Sequence, residues 1–79
     1  MKTFILGVEL QQESDGRWSV WVPGLPGCAS WGHTKEEALH NIKDAAEVYI
    51  EDLLEAGQEI PLQGVRIEVR DEPVIAVTV

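Results

Sequence analysis

The chain has little cysteine and no long apolar run. Cys28 is the single cysteine among 79 residues, which excludes an internal disulfide and is typical of a protein from a reducing cytosol. The apolar start Phe4-Ile5-Leu6 ends at Gly7, so nothing approaches the length of a signal peptide or a membrane span. We therefore expect a cytoplasmic protein, and a chain of this length holds a single domain.

Basic residues are also scarce. Six lysines and arginines stand against fourteen acidic residues, which gives a formal net charge of −8. The basic side chains are scattered along the chain, so no positive stripe exists for a phosphate backbone, and direct nucleic-acid binding is disfavoured. An acidic surface attracts a basic partner instead.

The first part of the chain has the alternation typical of strands. Thr3–Gln11 and Trp18–Val22 alternate, and Asp15-Gly16 between them is a strong hairpin signal. Residues 23–27 (PGLPG) supply two fixed φ angles and two glycines, which suit a tight reversal before a short strand at Cys28–Gly32. The sequence therefore predicts an antiparallel meander of three strands.

An amphipathic helix should follow the meander. Thr34 and Glu37 indicate a capping box at its start, and Gly57 stands where a C-terminal cap belongs, so we predict a helix from Lys35 to about Ala56. One side carries the small and apolar residues Ala38, Leu39, Ile42, Ala45, Ala46, Tyr49 and Leu53. The opposite side carries the acidic residues Asp44, Glu47, Glu51 and Glu55. Such a helix lies on a sheet with its acidic stripe in water.

Two further strands are expected after the helix. Val65–Val69 alternates again, and Pro73 opens the apolar, β-branched segment Val74–Val79. The two faces of that segment are nearly equally apolar, so both need covering, and pairing with a second copy is the simplest protection against aggregation. We therefore predict a homodimer or homotetramer whose interface contains Val74, Ile75, Val77 and Val79. The fold class is α+β, in the order β-β-β-α-β-β.

The sequence gives only weak evidence for a catalytic or metal-binding site. Cys28 with His33 or His40 could supply a nucleophile and a base, but a lone cysteine at the start of a strand is more often a small core residue. A zinc site needs three or four ligands, and a ribonuclease-type cluster needs several converging carboxylates, whereas only Glu9 lies on the first strand. We expect no enzymatic activity, no metal and no cofactor.

The meander brings two loops together. Its first and third strands run parallel, so their outgoing loops, Gln12–Gly16 and His33–Thr34, leave the sheet at the same end. Asp15, His33, Thr34 and Lys35 should therefore lie on one rim of the sheet. This rim is the predicted polar recognition site.

The order and spacing of three motifs resemble the HicB-type antitoxin domain. They are the turn VPGLPGC at residues 22–28, the helix start Gly32-x-Thr34-x-Glu36-Glu37-Ala38, and the exit Ala-Gly-x-Glu-Ile-Pro at residues 56–61. The resemblance runs from about Phe4 to Val69. It implies a partial ribonuclease H-like fold in which Val65–Val69 lies beside the first strand and parallel to it, after a right-handed crossover.

The resemblance also implies a function. HicB-type antitoxins neutralise HicA-type toxins, which are small, basic, messenger-RNA-cleaving proteins with a catalytic histidine. We expect residues 1–79 to be one HicB-like domain, without the C-terminal DNA-binding domain of many family members.

The partner would contact Asp15, His33 and Thr34 on the rim, while Glu47, Glu51 and Glu55 steer its approach. His33 stands where the family pattern has an acidic residue. The alternative is an orphan HicB-like protein with no toxin, an oligomeric structural or interaction module.

Overall fold

The computed structural model of the protein describes residues 3–58 and 73–79. Its elements are β1 (Thr3–Gly7), β2 (Glu9–Gln12), β3 (Trp18–Trp21), β4 (Ala29–Gly32), α1 (Lys35–Glu55) and β5 (Val74–Thr78). Strands β2, β3 and β4 form an antiparallel sheet in that order, and β1 pairs with β5 in a second antiparallel sheet. The α+β class and the meander are confirmed. The predicted strand Val65–Val69 and the helix exit at residues 59–61 lie outside the described residues.

The predicted first strand is divided at Val8. Residues before Val8 pair with β5, and residues after it pair with β3. The Val8 amide donates to the Pro73 carbonyl at 3.1 Å, so the partner strand changes at this residue. The side-chain alternation continues across the break, because Leu6 and Val8 are both buried while Gly7 and Glu9 are exposed.

The C-terminal strand pairs within its own chain. Its partner is β1 of the same chain, with Leu6 opposite Ile75. Ile75 and Val77 are 6% and 1% exposed and belong to the chain's own core, whereas the sequence analysis assigned them to an interface between copies. Val79 also packs partly against this core, and only Val74 stays exposed, at 56%. Alternation showed that both faces of the strand are apolar, but it could not show that β1 of the same chain pairs with one of its edges.

The Pro-Gly reversal between β3 and β4 folds into the core. The Leu25 amide donates to the Val22 carbonyl, and the Cys28 amide donates to the Leu25 carbonyl, each at 3.0 Å. Leu25 is 1% exposed, so the tip of the reversal contributes a full core side chain. The Tyr49 hydroxyl donates to the Pro26 carbonyl at 2.8 Å and ties the reversal to α1.

Both ends of α1 are capped as the sequence predicts. The Thr34 hydroxyl accepts from the Glu37 amide at 3.1 Å, and the Glu37 carboxylate accepts from the His33 amide at 3.3 Å. At the other end Gly57 has a φ of +68°, and the Gly57 and Gln58 amides bond back to the carbonyls of the last turn. This is a Schellman arrangement, which glycine adopts without a steric cost.

The core lies between α1 and the sheets. The helix buries Ala38, Ile42, Ala46 and Ile50, of which Ile50 is missing from the predicted apolar side. Each fully buried large aliphatic side chain contributes about 1.5–3 kcal/mol relative to exposure. Strand and loop residues complete the core: Leu6, Val8, Val20, Val22, Leu25, Cys28, Ile75 and Val77. Within residues 3–58 and 73–79, no helix is long and apolar enough to cross a membrane.

The first turn of α1 approaches β4 closely at Gly32. A Cβ atom added there would lie 2.5 Å from the Ala38 nitrogen and 2.9 Å from the Glu37 carbonyl carbon. These are backbone atoms, so they cannot rotate away as a flexible side chain would. Only glycine allows the helix to start this close to the strand.

We predict that Gly32→Ala destabilises the protein by about 2 kcal/mol or more, because the helix must shift to relieve the overlap. Gly7→Ala is the matched control, since Gly7 is also a strand glycine but has no atom within 4 Å of an added Cβ. Urea unfolding followed by circular dichroism gives both free energies. Equal stabilities of the two variants would contradict the close approach.

Candidate functional site

The two loops of the predicted rim leave the meander at the same end. Strands β2 and β4 are both antiparallel to β3, so they run parallel to each other. Asp15, His33, Thr34 and Lys35 are all exposed there. Asp15 and His33 are connected through two residues that the sequence analysis did not select, Arg17 and Trp31.

Asp15 holds Arg17 in place. Its Oδ1 accepts from the Arg17 amide at 3.0 Å, and its Oδ2 accepts from Arg17 Nε at 2.6 Å. Hydrogen bonds from the Arg17 amide and side chain lower the pKa of the Asp15 carboxyl. Both carboxylate oxygens therefore already have an intramolecular donor, although about half of each side chain stays exposed.

Trp31 connects the hairpin loop to the helix start. The Arg17 guanidinium carbon lies over the Trp31 ring, 5.1 Å from its centroid, at a distance typical of a cation–π contact. The His33 ring stands nearly perpendicular to the indole, at 84° and 5.2 Å between centroids. Asp15, Arg17, Trp31 and His33 thus form a continuous row along the rim, which we call the rim row. Trp31 is 49% exposed, so this row presents a large aromatic surface to solvent.

Trp31 projects from the side of the sheet that faces away from α1. It pairs with Ser19, while the neighbouring position on β3, Val20, is fully buried on the helix side. The Asn41 side-chain amide of the helix donates to the Trp31 carbonyl at 2.8 Å and holds that part of β4. Strand alternation could have identified Trp31 as an outward-facing residue, whereas its contact with Arg17 depends on the register between β3 and β4.

Thr34 and Lys35 have structural roles on the helix side of the rim. The Thr34 hydroxyl is the N-cap acceptor described above. Lys35 Nζ lies 6.0 Å from the centroid of the Trp18 ring. The rim therefore brings the four predicted residues to one end of the sheet and gives Asp15, Thr34 and Lys35 intramolecular partners.

The acidic helix residues lie apart from the rim row. Glu51 and Glu55 are exposed and Glu47 is half-buried, on the part of α1 beyond its first two turns. Asp44 lies 3.5 Å from His40 one turn earlier.

Cys28 is a core residue, as the sequence predicts. It is 5% exposed, and burial raises the pKa of its thiol, which disfavours the reactive thiolate. In the part of the chain that the structure describes, no group of three or more His, Cys, Asp or Glu side chains is placed to hold a metal ion.

We predict that the Asp15 carboxyl titrates below its ordinary value of 3.8 and that Arg17→Ala moves its pKa only part of the way back. The reason is that the residue 17 amide still donates after the guanidinium is removed. The carboxylate's contribution to stability is present above pH 3.8 and is lost as the pH falls through the lowered pKa. NMR titration measures both values, with Lys35→Ala as the control. An Asp15 pKa of 3.8 or higher in the parent would refute the Asp15–Arg17 pairing.

Comparisons with known proteins place the chain in a family. The family model of the HicB-like antitoxin of bacterial toxin–antitoxin systems matches residues 4–74. A UPF0150 protein of Thermoplasma acidophilum is 48% identical over 54 residues, which cover 68% of this chain and 78% of that protein. A UPF0150 protein of Synechocystis is 41% identical over 61 residues, which cover 77% of each chain.

The fold has counterparts of known structure. The N-terminal domain of the Burkholderia pseudomallei antitoxin HicB gives a TM-score of 0.70 at 24% identity, covering 96% of this chain and 98% of that domain. The longer HicB structure gives a TM-score of 0.65, covering all of this chain and 64% of that one. The family match and the shared fold agree: this chain belongs to the HicB-like antitoxin family of bacterial toxin–antitoxin systems.

Proposed function

We propose that this chain is the antitoxin of a type II toxin–antitoxin system and neutralises a HicA-type mRNA-cleaving toxin by direct protein–protein binding in the cytoplasm. The observation that carries the proposal is the family match over residues 4–74, nearly the whole chain. The charge supports it, because a net charge of −8 favours a basic partner. Such binding needs no cofactor and no catalytic group.

The rim row is the proposed contact. Tryptophan and arginine are the residue types enriched at the energetic centres of protein interfaces, and here Trp31 and Arg17 stand side by side and half exposed. Asp15 already binds Arg17, but a carboxylate has about four acceptor sites, so it can also accept from a toxin lysine or histidine. His33 is the part of this contact nearest the helix, and Thr34 borders it. Glu47, Glu51 and Glu55 raise the association rate at low salt.

We predict that a HicA-type toxin is encoded beside the gene of this chain, and that co-expression of the chain restores the growth of bacteria that produce this toxin. The purified chain should form a stable complex with a toxin whose catalytic histidine is replaced by alanine, measured by calorimetry. A toxin that stays active in the presence of excess chain would refute the proposed function.

Two rim variants separate binding from folding in the same assay. Asp15→Asn should weaken toxin binding and leave the free energy of unfolding close to that of the parent, because exposed ion pairs contribute little. Thr34→Ala should lower stability by about 1 kcal/mol through loss of the helix cap, with Thr34→Ser as its control. If Asp15→Asn binds the toxin as tightly as the parent, Asp15 is not part of the contact.

We also propose self-association, as a homodimer or homotetramer, through the exposed side of the β1–β5 sheet. Val74 and Ile5 are about half exposed there, and their neighbours on that side, Thr3, Ala76 and Thr78, carry no charge. Two chains of charge −8 repel each other, so an uncharged surface is where they can meet at least electrostatic cost.

We predict that Val74→Asp yields monomers in light scattering. Each copy would then bring a carboxylate into the contact, where the two negative charges would be buried close to each other. Val48→Asp on the exposed side of α1 is the control and should leave the oligomer intact. If Val48→Asp dissociates the oligomer and Val74→Asp does not, the interface lies on the helix and not on the β1–β5 sheet.

A further inference from the structure

The face of the meander opposite α1 contains a shallow groove beside Trp31. We call it the Trp31 groove; it is lined by Glu13, Arg17, Ser19, Ala29, Ser30 and Trp31. Ser19 pairs with Trp31 across the sheet, and Ala29 lies two residues before Trp31 on the same side of β4. The small side chains of Ser19 and Ala29 leave the space that the larger residues surround.

The wall of this groove is held in place by its neighbours. Arg17 lies over the Trp31 ring and His33 meets it nearly perpendicularly, so both contacts restrict rotation of the indole. Arg17 is itself held by Asp15. A side chain that is already ordered loses less conformational entropy when a partner binds.

The charge of the groove favours a cation. Asp15 lies 2.6 Å from Arg17 Nε and balances the guanidinium charge. Among the residues that the structure describes, Glu13 is then the lining residue whose charge has no ion pair. Its carboxylate accepts a hydrogen bond from the Ser19 hydroxyl at 2.8 Å, which fixes it toward the groove floor. Its remaining acceptor sites can bind a donor that enters the groove.

We propose that the Trp31 groove binds a lysine or arginine side chain that projects from a basic protein partner. The aliphatic stem would lie over Ser19 and Ala29 against the exposed part of the indole, and the charged end would reach the Glu13 carboxylate. Such a contact combines a charge-assisted hydrogen bond with burial against an aromatic ring. The inference rests on the proposed function, since it takes the partner to be the toxin, and it adds the groove and the class of side chain that enters it.

The test uses the full chain and the toxin with its catalytic histidine replaced by alanine, measured by calorimetry at physiological salt. Trp31→Ala removes the indole that forms the wall of the groove, and Ala29→Leu fills the groove. Each should raise the Kd by about ten-fold or more. Glu13→Gln should weaken binding by several-fold and reduce its salt dependence, because it removes the charge and keeps the shape. Val48→Ala is the control, since Val48 is exposed on α1 and outside the groove, and its Kd should stay within about two-fold of the parent.

The outcomes separate this inference from the function on which it rests. Thermal unfolding of each variant shows whether a loss of binding comes from a loss of folding. Ala29→Leu removes no side-chain hydrogen bond, so it tests the shape of the groove alone. If the parent binds the toxin and the three groove variants bind equally tightly, the groove is not the contact and the proposed function stands. If the parent does not bind the toxin, the proposed function fails and the groove inference fails with it.

Discussion

The contact between Gly32 and the first turn of α1 determines how the rest of the molecule is arranged. Because no Cβ separates them, the helix starts almost against the end of β4 and crosses the sheet on the side of Val20. Asn41, two turns along, then reaches the Trp31 carbonyl. The helix therefore fixes the backbone of β4 from one side, and the Trp31 indole must project from the other. The position of the rim row follows from how the core is packed.

Several polar side chains at the rim hold other parts of the chain in place. Thr34 and Glu37 complete the helix start, and Asp15 orders Arg17. They accept hydrogen bonds from donors of their own chain, and the amides at the start of a helix need such acceptors. In the proposed complex, the surface offered to the partner consists of groups that this internal network orients, chiefly the indole of Trp31 and the carboxylate of Glu13. A surface ordered in this way can bind without a large rearrangement.

Local patterns predicted the local features well. The hairpin at Asp15-Gly16, the bounds of α1 and the Thr34 cap depend on residues within a few positions of one another, and the structure has all three. The pairing of β5 with β1 depends on residues far apart, and alternation alone did not predict it. The contact between Arg17 and Trp31 was also missed, because it requires the register of two strands. The motif resemblance identified the family, which periodicity could not do, because it compares the order and spacing of several turns at once.

The pairing of β1 with β5 also has a consequence for the order in which the chain folds. The hydroxyls of Thr3 and Thr78 are 3.0 Å apart although the two residues are separated by 75 positions, whereas β2, β3, β4 and α1 follow one another between residues 9 and 55. Closing a long loop carries an entropic cost that local contacts avoid. We therefore expect the meander and helix to form an early nucleus, with the terminal strands joining last and exchanging their amide hydrogens first.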